Sequence, residues 1–183
     1  MNVIRLGFVT LVSSALLAAL APSAQAEPDV ADPTAAVLDQ ANGHRARHSA
    51  PPLVADARLA QGAQAWADRG VLEHSSFEER DHAGETLYKR MSPDPLRCDE
   101  RVLRQAVDTW YSEIDHYDYN TPGFSSKTGN FTQLVWKSTE RVGVGIAATR
   151  EENGWHGCMV VGRFDPPGNY VGRFEENVLP PNS

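Results

Sequence analysis

Cysteine and basic residues are both scarce in this 183-residue chain, and each scarcity limits what the protein can be. Cys98 and Cys158 are the only cysteines, and neither has the paired spacing that zinc sites use, so a cysteine-based metal site has little support. Lys and Arg number 17 against 24 Asp and Glu, and no stretch is dense in basic side chains. This balance argues against nonspecific binding to nucleic acid or to an anionic membrane surface.

Long apolar runs are also absent, apart from one near the N-terminus. Arg5 precedes a nearly uncharged stretch over 6–20, and Ala24-Gln25-Ala26 forms the small-x-small pattern that signal peptidase cuts. A transmembrane anchor is the competing interpretation, but the apolar run is short for a bilayer span and the cleavage pattern follows it at once. We therefore predict a signal peptide over 1–26, a secreted product, and no integral membrane segment after cleavage.

Cleavage would leave a mature chain of 157 residues that, without Arg5, has 16 basic and 24 acidic side chains and a net charge of −8. That length is typical of one domain, and we predict a flexible leader over 27–33 and a single domain over 34–183. A domain of this size folds without a disulfide framework. In an oxidising compartment the natural expectation is one Cys98–Cys158 disulfide, and two buried free thiols are the alternative.

Caps and apolar periodicity predict four helices. The first is predicted over 32–48, from an Asp-Pro start, and the second follows the cap residue Asp56. A short helix is predicted over 84–91. The strongest pattern follows Asp99, where apolar residues recur at helical spacing: Leu103, Ala106, Val107, Trp110, Ile114 and Tyr117.

Two strands are predicted near the C-terminus. Within 141–148, Val142, Val144 and Ile146 alternate with glycine or alanine, so one face is bulky and the other nearly bare. Residues 158–164 form the second strand, and the intervening Asn-Gly turn makes the pair an antiparallel hairpin. Helices early and strands late, with no βαβ alternation, predict an α+β fold rather than a doubly wound parallel sheet.

Three polar side chains lie where a structural role and a chemical role are both open. His74 follows the second helix, where a lone histidine is more often a helix-end cap or a core residue than a ligand. Glu85, in the first turn of the predicted short helix, faces the positive end of the helix dipole. Glu113 lies at the edge of the apolar stripe, where a carboxylate either reaches into water or is held in a polar cleft.

The stretch 129–136 mixes polar groups with bulky aromatic residues, and periodicity does not explain it. Asn130 opens a potential N-glycosylation sequon there, although a glycan would be hard to accommodate in a cleft. The stretch resembles the first signature of the CAP superfamily, which comprises cysteine-rich secretory, antigen five and plant pathogenesis-related proteins, and 164–170 resembles the second. The tail over 174–181 is similar to the Golgi-associated plant-pathogenesis-related branch.

The resemblance implies a three-layer α-β-α sandwich with a central antiparallel sheet and a solvent-filled cleft. In the family, two histidines and two acids line that cleft, and some members bind zinc or another divalent metal there. His74, Glu85 and Glu113 match three of these positions, and Asn130 replaces the second histidine. Because a carboxamide oxygen is a weak zinc ligand, the resemblance implies at most a weakly bound divalent metal, with His74 as its one imidazole ligand.

The resemblance also implies a secreted, noncatalytic binding module, a monomer or weak dimer whose partner is a lipid, a sterol or a protein. An apolar groove beside the acid/histidine cleft would bind hydrocarbon by removing it from water. The alternative is a hydrolase, such as a peptidase, in which Glu85 or Glu113 acts as general base near His74, although no nucleophile-elbow pattern surrounds Ser75. A third hypothesis is an effector that binds protein partners through surface loops and leaves the cleft unused.

Overall fold

The computed structural model describes residues 30–182, so the predicted signal peptide and the first three residues of the predicted leader lie outside the described residues. Within this range the chain forms helices on both sides of one four-stranded sheet. In chain order the elements are α1 (Pro33–Arg47), β1 (Val54–Ala55), α2 (Ala57–Ala67), β2 (Gly84–Ser92), α3 (Glu100–Ser112), a 3-10 turn (Glu113–His116), α4 (Gly129–Leu134), β3 (Arg141–Arg150), β4 (His156–Asp165) and α5 (Phe174–Asn177).

Aspartate caps begin the three longest of these helices, which confirms the starts predicted for them. Asp32 and Asp56 each accept a hydrogen bond from the backbone N–H three residues ahead, at 3.0 and 2.9 Å. Asp99 accepts from two backbone N–H groups, at 3.1 and 3.3 Å. Each cap satisfies an N–H that has no partner inside the helix, and such a cap typically contributes about 1 kcal/mol.

Residues 84–91, predicted as a short helix, belong instead to strand β2. They pair with β4 in antiparallel register, from Gly84 opposite Phe164 to Ser92 opposite His156. The prediction was wrong because a local dipole preference is worth only about 0.3–1 kcal/mol, whereas nine residues of ladder add hydrogen bonds and burial against a distant strand. Glu85 therefore lies on a strand, and no helix dipole acts on it.

The sheet has the order β1-β3-β4-β2, parallel between β1 and β3 and antiparallel elsewhere. The bare face of β3 lies against α2, and a Cβ on Gly143 or Gly145 would approach the backbone of α2 to within 2.0 or 2.4 Å. The bulky face of β3, with Val142, Val144 and Ile146, packs into the main core beside α1, α3 and α4. This is the α-β-α sandwich that the resemblance implies.

Two connections close the main core. Cys98 and Cys158 form a disulfide that joins the loop before α3 to β4. The C-terminal segment contributes Phe174 and Val178 to the same core. Among the residues that the structure describes, no helix is both long and apolar enough to cross a membrane.

Candidate functional site

The loop before β2 brings His74 into contact with Glu85. His74 Nδ1 lies 3.0 Å from Glu85 Oε1. The side chain of Glu85 is 1% exposed, whereas that of His74 is 59% exposed. Ser75 completes the arrangement, since its N–H donates to Oε1 at 2.9 Å and its hydroxyl donates to Oε2 at 2.7 Å. Neighbouring groups on all sides therefore hold this buried carboxylate in one orientation.

These contacts determine the protonation state of Glu85. Burial raises the pKa of its carboxyl, but the hydrogen bonds from His74 and Ser75 outweigh burial and hold that pKa below its ordinary value. Arg163 adds a cation whose Nε lies 3.7 Å from Glu85 Oε2. At neutral pH Glu85 is therefore an anion that accepts hydrogen bonds and has no proton to donate.

Glu113 and Asn130 form a second pair at the free edge of β2. Glu113 Oε2 accepts from the backbone N–H of Asn130 at 2.9 Å and of Phe131 at 3.0 Å, and Oε1 accepts from Asn130 Nδ2 at 2.7 Å. Asn130 Oδ1 in turn accepts from the backbone N–H of Leu87 at 3.3 Å. The carboxylate thus satisfies the first N–H groups of α4, and the carboxamide joins α4 to the edge strand.

The four residues are therefore brought together as two pairs rather than as one quartet. A cleft of about 210 Å³ lies over His74 and Glu85, and neither Glu113 nor Asn130 lines it. Its remaining walls come from the loop before β2, the start of β2, the loop before α4, α4 itself and the second signature: Phe77, Arg80, Ala83, Gly84, Phe124, Gln133, Pro167, Gly168 and Asn169. The resemblance places these four polar residues in one cleft, whereas the structure divides them into two pairs.

A zinc site of the kind that the resemblance implies for some members does not fit these residues. Zinc takes four ligands in a tetrahedron, at least three of them from the protein. Among residues 30–182, no three His, Cys, Asp or Glu side chains are grouped so that they could hold a metal ion. Both oxygens of Glu85 and both of Glu113 already accept hydrogen bonds from the protein, and Asn130 offers a neutral oxygen that Leu87 N–H occupies.

The two signature stretches contact each other directly. Thr132 Oγ1 donates to Asn169 Oδ1 at 2.6 Å, and Asn169 Nδ2 donates to the Gly129 carbonyl at 2.9 Å. Gln133 Oε1 accepts from Gly168 N at 2.8 Å. Sequence reasoning missed these contacts, although polar residues inside an otherwise apolar buried stretch were a signal that they had partners.

This chain is similar in sequence to known proteins over most of its length. The profile of the cysteine-rich secretory protein (CAP) family matches residues 38–162. The human Golgi-associated plant pathogenesis-related protein 1 is 39% identical over 151 residues, which cover 79% of this chain and 91% of that protein. The basic form of pathogenesis-related protein 1 from Nicotiana tabacum is 28% identical over 171 residues, which cover 92% of this chain and 88% of the tobacco protein.

Solved structures share the fold. The crystal structure of NaASP2 with Zn²⁺ superposes with a TM-score of 0.67 at 21% identity, over 85% of this chain and 90% of that one. The structure of BmVAL-1 superposes with a TM-score of 0.61 at 19% identity, over 85% of this chain and 84% of that one. Because the profile covers more than half of the chain and its relatives follow the same fold, this chain belongs to the CAP family of cysteine-rich secretory proteins.

Proposed function

We propose that this CAP chain is a secreted binding module without catalytic activity, and that its ligand is a lipid or a sterol. The noncatalytic part rests on one observation, the hydrogen bonds that the protein itself donates to both acids. Glu85 and Glu113 each accept hydrogen bonds on both carboxylate oxygens from groups of the protein itself. The secreted destination rests on the predicted signal peptide.

Catalysis by a general base requires an accessible lone pair and a pKa near the working pH. Glu85 is buried, its carboxylate is occupied and its pKa is held low, so it is a poor base. The carboxylate of Glu113 accepts hydrogen bonds from the backbone of α4 and from the side chain of Asn130. Ser75, which lies beside His74, is 3% exposed and donates its hydroxyl to Glu85, so it does not present a nucleophile to a substrate. These contacts favour binding over hydrolysis.

The lipid part of the proposal draws on the size and lining of the grooves. The cleft over His74 has about 210 Å³, below the roughly 300–1,000 Å³ of typical ligand pockets. A groove of about 480 Å³ lies instead between the start of α1 and α2, away from the acid/histidine cleft. Alanine, proline and valine contribute most of its lining: Ala31, Pro33, Ala55, Ala57, Ala60 and Val144. This groove, which we call the α1–α2 groove, is the better place for a hydrocarbon.

Titration of the mature protein with a fluorescent sterol and a fluorescent fatty acid tests the proposal. We expect saturable binding in the submicromolar to micromolar range, displaced by the unlabelled ligand. Ala60→Leu narrows the α1–α2 groove and should weaken binding at least about fivefold, since roughly 1 kcal/mol of apolar contact is lost per displaced group. Ala46→Leu, on the exposed side of α1 and outside the groove, is the matched control and should bind like the wild type.

Three outcomes would contradict the proposal. The absence of a saturable signal with both lipids would remove the ligand class. Cleavage of a peptide library by the purified protein, abolished by His74→Ala or Glu85→Ala, would replace the binding module with the hydrolase alternative. A pull-down of protein partners that leaves lipid binding undetected would favour the effector that acts through its surface loops.

A further inference from the structure

Arg163, on β4, is a buried cation that is paired with Glu85 and whose Nε has no hydrogen-bond acceptor. The residue is 6% exposed, and its Nε is fully buried without a hydrogen bond. Of the five N–H donors of this guanidinium, the one on Nε is thus buried without an acceptor. Its nearest anion, Glu85 Oε2, lies 3.7 Å from Nε, beyond hydrogen-bond distance. Buried donors of this strength ordinarily have acceptors.

A cavity of about 370 Å³ lies against Arg163, between α2 and the turn that precedes β2. Two further arginines line it, Arg58 and Arg80. Arg58 is already paired with Asp81, at 2.6 Å. Arg80 donates its Nε to the Ala83 carbonyl at 2.8 Å and an Nη1 hydrogen to the carbonyl of Ser75. Arg163 is therefore the arginine of this cavity that has a buried donor without an acceptor.

The acids in the lining are committed as well. Glu79 accepts from Arg69 at 3.1 Å and from the backbone N–H of Ser76 at 3.0 Å. Asp81 holds Arg58. Neither acid forms an ion pair with Arg163, whose charge is paired across 3.7 Å with Glu85, a residue that does not line the cavity. The two carboxylates at the rim disfavour a second anionic group on the same ligand.

Gly62, in the middle of α2, makes room for this guanidinium. A Cβ at Gly62 would lie 2.6 Å from Arg163 Nη1 and 3.4 Å from its Cζ, closer than contact distance in the first case. Glycine is a poor helix former, so its presence inside α2 is otherwise unfavourable. The guanidinium thus lies directly against the backbone of α2, where any side chain at position 62 would clash with it.

We propose that this cavity binds a small oxyanion, a carboxylate or a phosphate, on the guanidinium of Arg163. The planar fork of an arginine matches the two oxygens of either group and binds them with a pair of parallel hydrogen bonds. The rest of the ligand is polar and uncharged, because the rim is polar and carries the two paired acids. This site is separate from the α1–α2 groove, and the proposal does not rest on lipid binding.

Calorimetric titration of the mature protein with inorganic phosphate and with acetate tests the proposal. The titration is run at an ionic strength of about 0.15 M, where the Debye length of about 8 Å screens the net negative charge of the chain. We expect saturable binding of at least one anion with a Kd of about 1 mM or tighter. Arg163→Met removes the fork and keeps the length of the side chain, and it should weaken binding at least tenfold.

A pair of glycine variants separates binding from folding. Gly62→Ala displaces the guanidinium while it favours the helix, so anion affinity should fall at least tenfold with no loss of thermal stability. Gly43→Ala, in α1, has no atom within 4 Å of its added Cβ and should leave anion affinity unchanged. If Arg163→Met does not fold, the Gly62→Ala variant still tests the proposal.

A third arm identifies the source of a phosphate. Phosphatidylcholine vesicles with and without phosphatidic acid are compared with soluble glycerol 3-phosphate. Binding of phosphatidic acid or of glycerol 3-phosphate supports the site if it depends on both Arg163 and Gly62. The ligand with the higher affinity shows whether the phosphate comes from a lipid headgroup or from a soluble molecule. Absence of binding to all of the anions, or unchanged affinity in both the Gly62 and Arg163 variants, overturns the proposal.

Discussion

At the residue scale, the polar side chains of the candidate site act as connectors between elements. Asn130 donates to Glu113 and accepts from the backbone of β2, because a carboxamide carries a donor and an acceptor on neighbouring atoms. Glu85 in the same way joins the loop that carries His74 and Ser75 to β2. Asn130, which the resemblance places where the family has a histidine, therefore has a structural role of its own.

Asn130→Asp tests that role. The change replaces Nδ2, which lies 2.7 Å from Glu113 Oε1, with a second carboxylate oxygen. We expect a loss of about 2–4 kcal/mol in the free energy of unfolding at pH 7, because a hydrogen bond becomes a contact between like charges. Near pH 4 the loss should shrink, since one proton shared by the two carboxylates removes the repulsion. Urea unfolding at both pH values measures the difference.

A matched control exists in the β3–β4 turn. Asn153 accepts a hydrogen bond from Trp155 N at 3.0 Å through Oδ1, and Asn153→Asp keeps that acceptor in an exposed position. We expect its stability to be close to that of the wild type at both pH values. Equal stability of Asn130→Asp and Asn153→Asp at pH 7 would show that the contact between Asn130 and Glu113 contributes nothing.

The lowered pKa of Glu85 predicts part of the acid sensitivity of the protein. Its pKa in the folded state lies below the ordinary value that it recovers in the unfolded chain, because the hydrogen bonds from His74 and Ser75 outweigh burial. The stability that this carboxylate contributes is therefore complete above its unfolded pKa and is lost as pH falls through its folded pKa. We expect the free energy of unfolding to decline as pH falls below about 5.

Glu85→Gln should remove that part of the decline. The variant keeps one oxygen acceptor but turns an NH₂ group toward neighbouring donors, so we expect a loss of about 1–3 kcal/mol at neutral pH. Below about pH 5 its stability should then fall less steeply than that of the wild type. Glu140→Gln, an exposed change at the end of the loop before β3, is the control and should keep the wild-type slope. Parallel pH curves for the wild type and Glu85→Gln would refute the assignment.

At the element scale, backbone groups decide how the helices dock. α2 lies on the backbone of β3 because Gly143 and Gly145 have no side chains to hold it away. α1 is attached differently, through Arg45, which is fully buried. Its guanidinium donates to the carbonyls of Pro51, Leu134, Trp136 and Thr139, at 2.8 to 3.0 Å. Burial lowers the pKa of Arg45 to about 10, so it remains charged at neutral pH while it ties α1 to the segment after α4.

Arg45→Lys should weaken this attachment strongly. Lysine keeps the charge but has three donors on a shorter, compact group, which cannot reach all four carbonyls. We expect a loss of roughly 2–4 kcal/mol in the free energy of unfolding, since buried acceptors lose their donors. Arg47→Lys, exposed on the same helix, should have little effect. Guanidinium or urea unfolding compares the two, and similar losses in both variants would contradict the role of Arg45.

At the scale of the whole molecule, the disulfide spans a large part of the domain. Cys98 and Cys158 are 60 residues apart, and closing a loop of that length removes conformational entropy from the unfolded chain. We expect the double variant Cys98→Ser/Cys158→Ser to lose roughly 2–4 kcal/mol in the free energy of unfolding and to retain the fold. Thermal and urea unfolding, with circular dichroism to confirm the fold, measure the loss. An unchanged free energy of unfolding would show that the bond adds nothing to stability.

Local patterns in the sequence were enough for much of this molecule. The aspartate caps, the apolar stripe of α3 and the alternation in β3 act over a few residues, so each could be predicted from its own neighbourhood. The signature stretches 129–136 and 164–170 identified the family for the same reason. The resemblance also implied, from the sequence alone, that Asn130 replaces the second histidine of the cleft.

Long-range pairing decided the rest. β2 became a strand because β4 pairs with it along its whole length, and that register places Glu85 opposite Arg163. The same pairing left the outer edge of β2 open to Asn130 and left the Nε of Arg163 without an acceptor. The sequence by itself therefore determined the family and predicted a set of polar residues for the cleft. Only the tertiary structure decided which of them meet, because strand register joins positions that no local preference relates.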